Sequence, residues 1–216
     1  MALTFRTVIA FPAAGLALSA LAACGGDGGN GANSGNDAAL KAAQADVAAA
    51  TSRLFPDNFK GVCSGAPVSN ATAYNPQGTA HKALYFATYR DDFMDRSSSL
   101  PRDWTVLFSA ETDALRAIDL VVCARRTAAR EVRMCDGYRS NGRETQNRVR
   151  WHTATYELSV REASTGRQLG ETRTVEATNN DCPIIQSFSS ESETVDGYAS
   201  LSDAVVTDFL RPHMTR

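Results

Sequence analysis

The sequence has little excess charge of either sign. Its 22 lysine and arginine residues nearly balance its 24 aspartate and glutamate residues, and the formal net charge is −2. Nucleic-acid binding depends on a strongly basic surface, so we expect no nucleic-acid partner. The 43% hydrophobic content argues against a wholly disordered chain, although only 8% of the residues are aromatic.

The sequence also lacks the short motifs that mark a catalytic or metal site. It contains no Gly-x-Ser-x-Gly or Ser-x-x-Lys segment to supply a recognisable nucleophile. With no Cys-x-x-Cys pair and only three histidines, it predicts no metal site and no cofactor. We therefore favour a non-enzymatic binding or assembly module. The alternative is an extracytoplasmic hydrolase that uses His81 or His152 as a general base with an unrecognised nucleophile.

Residues 1–23 have the pattern of a secretory signal peptide, in which a single charge, Arg6, precedes a run of small apolar residues. The run ends in Leu21-Ala-Ala-Cys24, which resembles the lipobox of bacterial lipoprotein precursors. The resemblance implies that residues 1–23 are removed and that the Cys24 thiol carries diacylglycerol in the bilayer. Because Gly25 is not the aspartate associated with inner-membrane retention, it favours an outer-membrane protein facing the periplasm. The outer surface of a monoderm cell is the alternative.

A linker and a helix are predicted after the anchor. Residues 24–36 are rich in glycine and asparagine and contain too little apolar surface to form a core, so a flexible linker is expected. Residues 37–54 are rich in alanine and place Leu40, Val47 and Leu54 close to one helical stripe. This pattern predicts a helix that ends before Pro56.

The remaining residues, 55–216, read as one mainly β extracytoplasmic domain. Alternating or β-branched runs predict strands in an antiparallel sheet or a sandwich-like arrangement. The predicted strands are Ala83–Tyr89, Trp104–Ser109, Ile118–Ala124 with Glu131–Gly137 as a hairpin, and residues 154–160 with 168–177 around a Ser164-Thr-Gly166 turn. A short C-terminal helix is expected from Ser200, with Leu201, Val205 and Phe209 on its apolar side and Pro212 at its end.

The four cysteines other than Cys24 are disulfide candidates: Cys63, Cys123, Cys135 and Cys182. Three pairings are open. If the predicted hairpin forms, Cys123 and Cys135 bridge it, and Cys63 is left with Cys182. The order of Leu120-Val-Val-Cys123, Cys135-Asp-Gly-Tyr138 and Cys182-Pro183 resembles an uncharacterised extracytoplasmic bacterial domain, which implies no specific function.

Positive charge is concentrated in one segment. Residues 124–150 contain eight arginines against three acidic residues. Guanidinium groups bind phosphate and carboxylate through paired hydrogen bonds, so this segment is a candidate anion-binding patch for an anionic glycolipid or an acidic envelope protein. Its candidate residues are Arg125, Arg126, Arg133, Arg148 and Arg150. The alternative is a solvated strand surface of arginine-biased composition.

Overall fold

The computed structural model describes residues 53–109, 113–190 and 192–214. The predicted signal peptide, Cys24 and the linker lie outside these residues. So does the predicted alanine-rich helix, except for Arg53 and Leu54, which are not helical.

The described residues are mainly β, as predicted. The strands are β1 (Ala83–Tyr89), β2 (Asp92–Asp95), β3 (Leu120–Cys135), β4 (Arg139–Ser140), β5 (Arg143–Glu144), β6 (Arg148–Glu162), β7 (Gln168–Ala177) and β8 (Thr194–Tyr198). Within the described residues, 3-10 helices cover Pro56–Ser64, Ser97–Ser99 and Ala114–Ala117, and an α-helix, α1, covers Asp203–Met214.

Six strands form a mixed sheet in the order β2-β1-β3-β6-β7, and β8 pairs with β6. The β1–β3 and β6–β8 pairs are parallel, whereas the other pairs are antiparallel. The prediction of an antiparallel sheet was therefore wrong for two pairs. Hydrophobic alternation sets which face a side chain occupies but not the direction of the neighbouring strand. The remaining pair, β4–β5, is a short separate hairpin.

A single strand, β3, replaces the hairpin predicted between residues 118 and 137. The intervening Arg-Thr-Ala-Ala-Arg segment contains no glycine, proline or asparagine to form a tight turn, and it continues the ladder with β6. Register shifts at Arg126/Ala128 and Glu131/Arg133 allow the long strand to bend. Cys123 and Cys135 are therefore separated by about 40 Å along an extended strand and do not bridge a hairpin.

Two disulfides are present, as predicted, but they join other partners. Cys63 pairs with Cys123 and ties the Pro56–Ser64 helix to β3. Cys135 pairs with Cys182 and ties the far end of β3 to the segment before β8. Two structural disulfides indicate an oxidising compartment outside the cytoplasm. No described helix is long and apolar enough to cross a membrane.

The later hairpin and β1 were predicted correctly, whereas the strand over Trp104–Ser109 was not. β6 and β7 are joined through the Ser164–Gly166 turn. Trp104 lies in a turn, and its carbonyl accepts a hydrogen bond from the Ala83 amide at 2.7 Å. The run that follows forms no strand, and Leu107 is 71% exposed.

The core occupies both faces of the sheet. Tyr85 and Leu84 are adjacent on β1 and belong to different apolar clusters, because successive side chains point to opposite faces. α1 covers one face and the Pro56–Ser64 helix covers the other.

The buried face of α1 is displaced from the predicted face toward the C-terminus. Its buried residues are Val206, Leu210 and Met214, while Leu201, Val205 and Phe209 are half-buried around them. Pro212 does not end the helix. It lies in the last turn, where the missing amide removes a single hydrogen bond, and burial of Met214 fixes the turn against the core.

Candidate functional site

A cleft on the α1 side of the sheet brings polar and aromatic side chains together. Its volume is about 280 Å³, and it is bounded by β1, β3, β6, β8 and the segment that leads into α1. We call it the tyrosine cleft and define it by Tyr85, Arg96, Arg126, Tyr156 and Tyr198.

A larger depression of about 820 Å³ lies between residues 136–147 and 182–190. Its rim includes Ile184 and Ile185, which are 97% and 88% exposed. It is a wide surface hollow without a buried polar group that needs a partner, so the tyrosine cleft is the stronger candidate.

Tyr85 provides a buried phenol at the cleft. The residue is only 5% exposed, and its hydroxyl has no hydrogen-bond partner among the described residues. Burial raises the pKa of the Tyr85 phenol, with a smaller contribution from Tyr156. The Tyr85 hydroxyl is therefore protonated at neutral pH and is available as a donor.

Tyr156 also lines the cleft, and its hydroxyl has a hydrogen-bond partner. Its hydroxyl donates to the carbonyl oxygen of Ala199 at 3.0 Å and so holds the segment before α1 against β6. Burial raises the pKa of Tyr156 although the charge and hydrogen bond of Arg126 oppose the change. The two phenols thus enter the cleft from β1 and β6, but only one has a protein partner.

Arg126 is held rigidly within the cleft. It follows Ala124 on the α1 side of β3, before the first register shift. Its Nη2 donates to the carbonyl oxygen of Arg90 at 2.6 Å, and its guanidinium carbon lies 3.5 Å from the centre of the Tyr198 ring. Stacking on an aromatic face and a backbone hydrogen bond together orient the guanidinium group.

A carboxylate on the cleft wall is already neutralised. Asp196 Oδ2 accepts a hydrogen bond from Arg150 Nη2 at 3.1 Å, and its Oδ1 lies 2.9 Å from both Arg150 Nε and His152 Nε2. The hydrogen bond with His152 is the main cause of the lowered pKa of Asp196, and Arg150 adds to it. His152 in turn stacks on Tyr198, with ring centres 5.0 Å apart. This group supports the cleft wall.

The arginines predicted as an anion-binding patch do not come together. Arg125 points to the opposite face from Arg126, donates to the Cys63 carbonyl at 3.1 Å and packs over Phe93. Arg150 is paired with Asp196, and Arg133 and Arg148 are exposed on β3 and β6. Neighbours on a strand alternate between faces, so an arginine-rich sequence segment is divided by the sheet.

The two histidines considered as general bases have different environments. His81 is buried, and both of its ring nitrogens have acceptors: Asp119 for Nδ1 and the Gly78 carbonyl for Nε2. His152 contacts Asp196 as described above. Across residues 53–109, 113–190 and 192–214, neither histidine forms a hydrogen bond with a serine hydroxyl, and no group of three or more metal-ligating side chains occurs.

Sequence reasoning missed the phenols and Arg96 as site residues. Tyr85 and Tyr156 occupy inward positions of two predicted strands, so the sequence pattern predicts that they are core residues. The available signal was the hydroxyl on each ring, since a buried tyrosine normally finds a hydrogen-bond partner. The strand order that brings β1 and β6 to opposite sides of β3 cannot be read from the sequence.

No protein-family model, curated protein or solved structure matches this chain. Its function is therefore inferred from the chemistry of its own residues.

Proposed function

We propose that this chain is a lipid-anchored cell-envelope protein whose β domain binds a small ligand in the tyrosine cleft without transforming it. The observation that carries the binding role is the Tyr85 hydroxyl, which is protonated, belongs to a largely buried side chain that lines the cleft, and has no hydrogen-bond partner among the described residues. A hydrogen bond from such a hydroxyl contributes about 0.5–1.5 kcal/mol net. A ligand with an acceptor at this position would gain that contribution.

The number and pairing of the cysteines support lipidation at Cys24. Four of the five cysteines are consumed by two disulfides, and the fifth is Cys24 in Leu21-Ala-Ala-Cys24. Two or three acyl chains on Cys24 would hold the protein stably at a bilayer, whereas one chain holds it only marginally. Gly25 favours the outer membrane facing the periplasm, and an envelope protein or an anionic glycolipid remains the expected partner class.

Binding is favoured over hydrolysis because no contact among residues 53–109, 113–190 and 192–214 supports the hydrolase alternative. A serine hydrolase needs a nucleophile within hydrogen-bond reach of its base. His81 is occupied on both nitrogens, and the contacts of His152 serve the cleft wall.

The anchor is tested by metabolic palmitate labelling of the full chain and of Cys24→Ala. We expect label in the wild type and none in the variant. Equal label in the two proteins would refute lipidation at Cys24.

The binding role is tested by photo-crosslinking in intact cells. A photoreactive phenylalanine replaces either Tyr89, which is exposed at the rim of the cleft, or Leu107, which is exposed outside it. We expect a discrete adduct by intact mass at position 89 and none at position 107. No adduct at position 89, or the same adducts at both positions, would contradict ligand binding in the cleft.

A further inference from the structure

Three polar groups without hydrogen-bond partners among the described residues belong to the lining of the tyrosine cleft. They are the hydroxyl of Tyr85, the buried hydroxyl of Ser99 and the guanidinium group of Arg96. The Arg96 amide donates to the Tyr85 carbonyl at 2.7 Å, and the Ser97 hydroxyl accepts from the Tyr85 amide at 2.9 Å. The backbone of the segment that carries Arg96 and Ser99 is therefore fixed to β1.

Arg96 supplies a positive charge in the cleft lining. Its side chain forms no ion pair or hydrogen bond within the described part of the chain, and its charge acts on both the Tyr85 and Tyr156 phenols. Arg126, by contrast, is committed to Arg90 and Tyr198. An anionic oxygen near Tyr85 would therefore meet a free guanidinium group and a neutral hydroxyl donor.

The acidic residues of the lining limit the charge that the cleft can accept. Asp196 is neutralised by Arg150 and His152. Asp203 has no described ion-pair partner, although its position in the first turn of α1 is favourable for a negative charge. Its carboxylate opposes a dianion more strongly than a monoanion. This balance favours a carboxylate over a phosphate monoester.

Aromatic side chains also line the cleft. The Trp151 indole N–H donates to the Asn179 carbonyl at 2.8 Å, so its polar atom is satisfied and its ring contributes an apolar surface. Tyr198 also lines the cleft, but its ring faces are occupied by His152 and Arg126, so Trp151 is the aromatic surface available to a ligand. A volume of about 280 Å³ is at the lower limit of ordinary ligand pockets and suits a single ring.

We propose that the tyrosine cleft recognises a small carboxylate carried on a six-membered ring. The carboxylate accepts hydrogen bonds from Arg96 and Tyr85, and the ring packs against Trp151. This inference rests on the proposed binding function and specifies its ligand class. The chemistry is shared by uronic acids, in which the ring is a sugar, and by aromatic acids.

The test is an NMR-detected titration of the full chain with two matched pairs of probes. Glucuronate is compared with glucose, and benzoate with benzamide, so that each pair differs mainly in the carboxylate. We expect at least one acid to bind ten-fold or more tightly than its neutral counterpart. The pair that shows the difference identifies the sugar acid or the aromatic acid as the source.

Variants assign the contacts. Arg96→Gln should reduce the difference between acid and neutral probe to less than two-fold, and because Arg96 is exposed the substitution leaves the core intact. Tyr85→Phe should weaken the acid several-fold while the fold, checked by circular dichroism, is retained. Arg130→Gln removes an exposed arginine of β3 outside the cleft lining and should leave the affinities unchanged.

Two results would overturn this inference. Equal affinity for acid and neutral probes, with Tyr85→Phe still weakening both, would exclude carboxylate recognition and leave the binding function standing. Absence of binding by all four probes would also exclude the ligand class, and the adduct at position 89 in cells would then decide separately whether the cleft binds a ligand at all.

Discussion

His81 Nδ1 lies 2.5 Å from Asp119 Oδ2 in the interior of the protein, and both side chains are about 5% exposed. The other carboxylate oxygen, Oδ1, accepts from the Lys82 amide at 2.9 Å. Asp119 directly precedes Leu120 and His81 lies just before Ala83, and Ala83 and Leu120 form the first register pair of the parallel strands. The His81–Asp119 contact therefore fixes the start of the β1–β3 ladder.

Replacing His81 with phenylalanine should destabilise the protein by about 3–5 kcal/mol, because it leaves the Asp119 carboxylate buried without its partner. The measurement is urea unfolding at neutral pH. Arg116→Gln is the control, since it breaks the exposed ion pair with Asp113 and should cost less than about 1 kcal/mol. Similar losses in the two variants would mean that the buried pair does not stabilise the fold.

Glu162 should make stability depend on pH. Burial alone raises the pKa of this carboxyl group, but hydrogen bonds from Thr165 Oγ1 at 2.8 Å and Arg167 Nη2 at 3.1 Å outweigh burial, and the pKa is lowered. A lowered pKa in the folded state contributes stability above the pKa of the unfolded chain, and this contribution is lost as the pH falls through the folded value.

Glu162→Gln should therefore cost about 1–3 kcal/mol at pH values well above that range and progressively less in acid. The free energy of unfolding of wild type and variant is compared across an acid series. Glu171→Gln, on an exposed position of β7, should run parallel to the wild type. A Glu162→Gln deficit that is the same at every pH would contradict this role.

Removal of either disulfide should have a comparable effect on stability. The bonds close consecutive loops, with sequence separations of 60 and 47 residues. The chain-entropy model assigns about 4 kcal/mol to each loop. We expect the Cys63→Ser/Cys123→Ser and Cys135→Ser/Cys182→Ser double variants each to lose about 2–4 kcal/mol in urea unfolding.

The pairing is checked directly by peptide mapping without reduction. A peptide that links Cys63 to Cys182 would contradict the structure. The same digest after reduction controls for incomplete cleavage.

The sequence predicted features that depend on local pattern. The alternation of Tyr156, Leu158 and Val160 located β6, and the Ser164-Thr-Gly166 turn located its hairpin with β7. The even number of cysteines after Cys24 predicted two disulfides. Each inference needed only neighbours along the chain.

Features that depend on long-range pairing could not be predicted. Tyr85 and Tyr156 share a cleft because β3 separates β1 from β6, and the direction of β1 relative to β3 has no local signature. The arginine-rich segment became one continuous strand, so Arg125 and Arg126 were placed on opposite faces. Composition showed the charge but not its distribution in space.

Gly166 is the position where a single methyl group should be most disruptive. Its φ angle is +72°, and an added Cβ would lie 2.2 Å from the carbonyl oxygen of Gly65. Because that contact is with backbone, a side-chain rotation cannot relieve it, and the β6–β7 turn would have to move away from the end of the Pro56–Ser64 helix. Gly142 is a matched control, because its φ angle is +79° and an added Cβ would have no neighbour within 4 Å.

Gly142→Ala should therefore cost only the conformational penalty of about 1–2 kcal/mol, whereas Gly166→Ala should cost clearly more. Urea unfolding of the two variants isolates the cost of the backbone contact, since their conformational penalties are similar. Equal losses would show that the turn and the helix end are not in contact in solution. A larger loss at Gly166 would show that the β6–β7 turn is packed against the segment that Cys63 ties to β3.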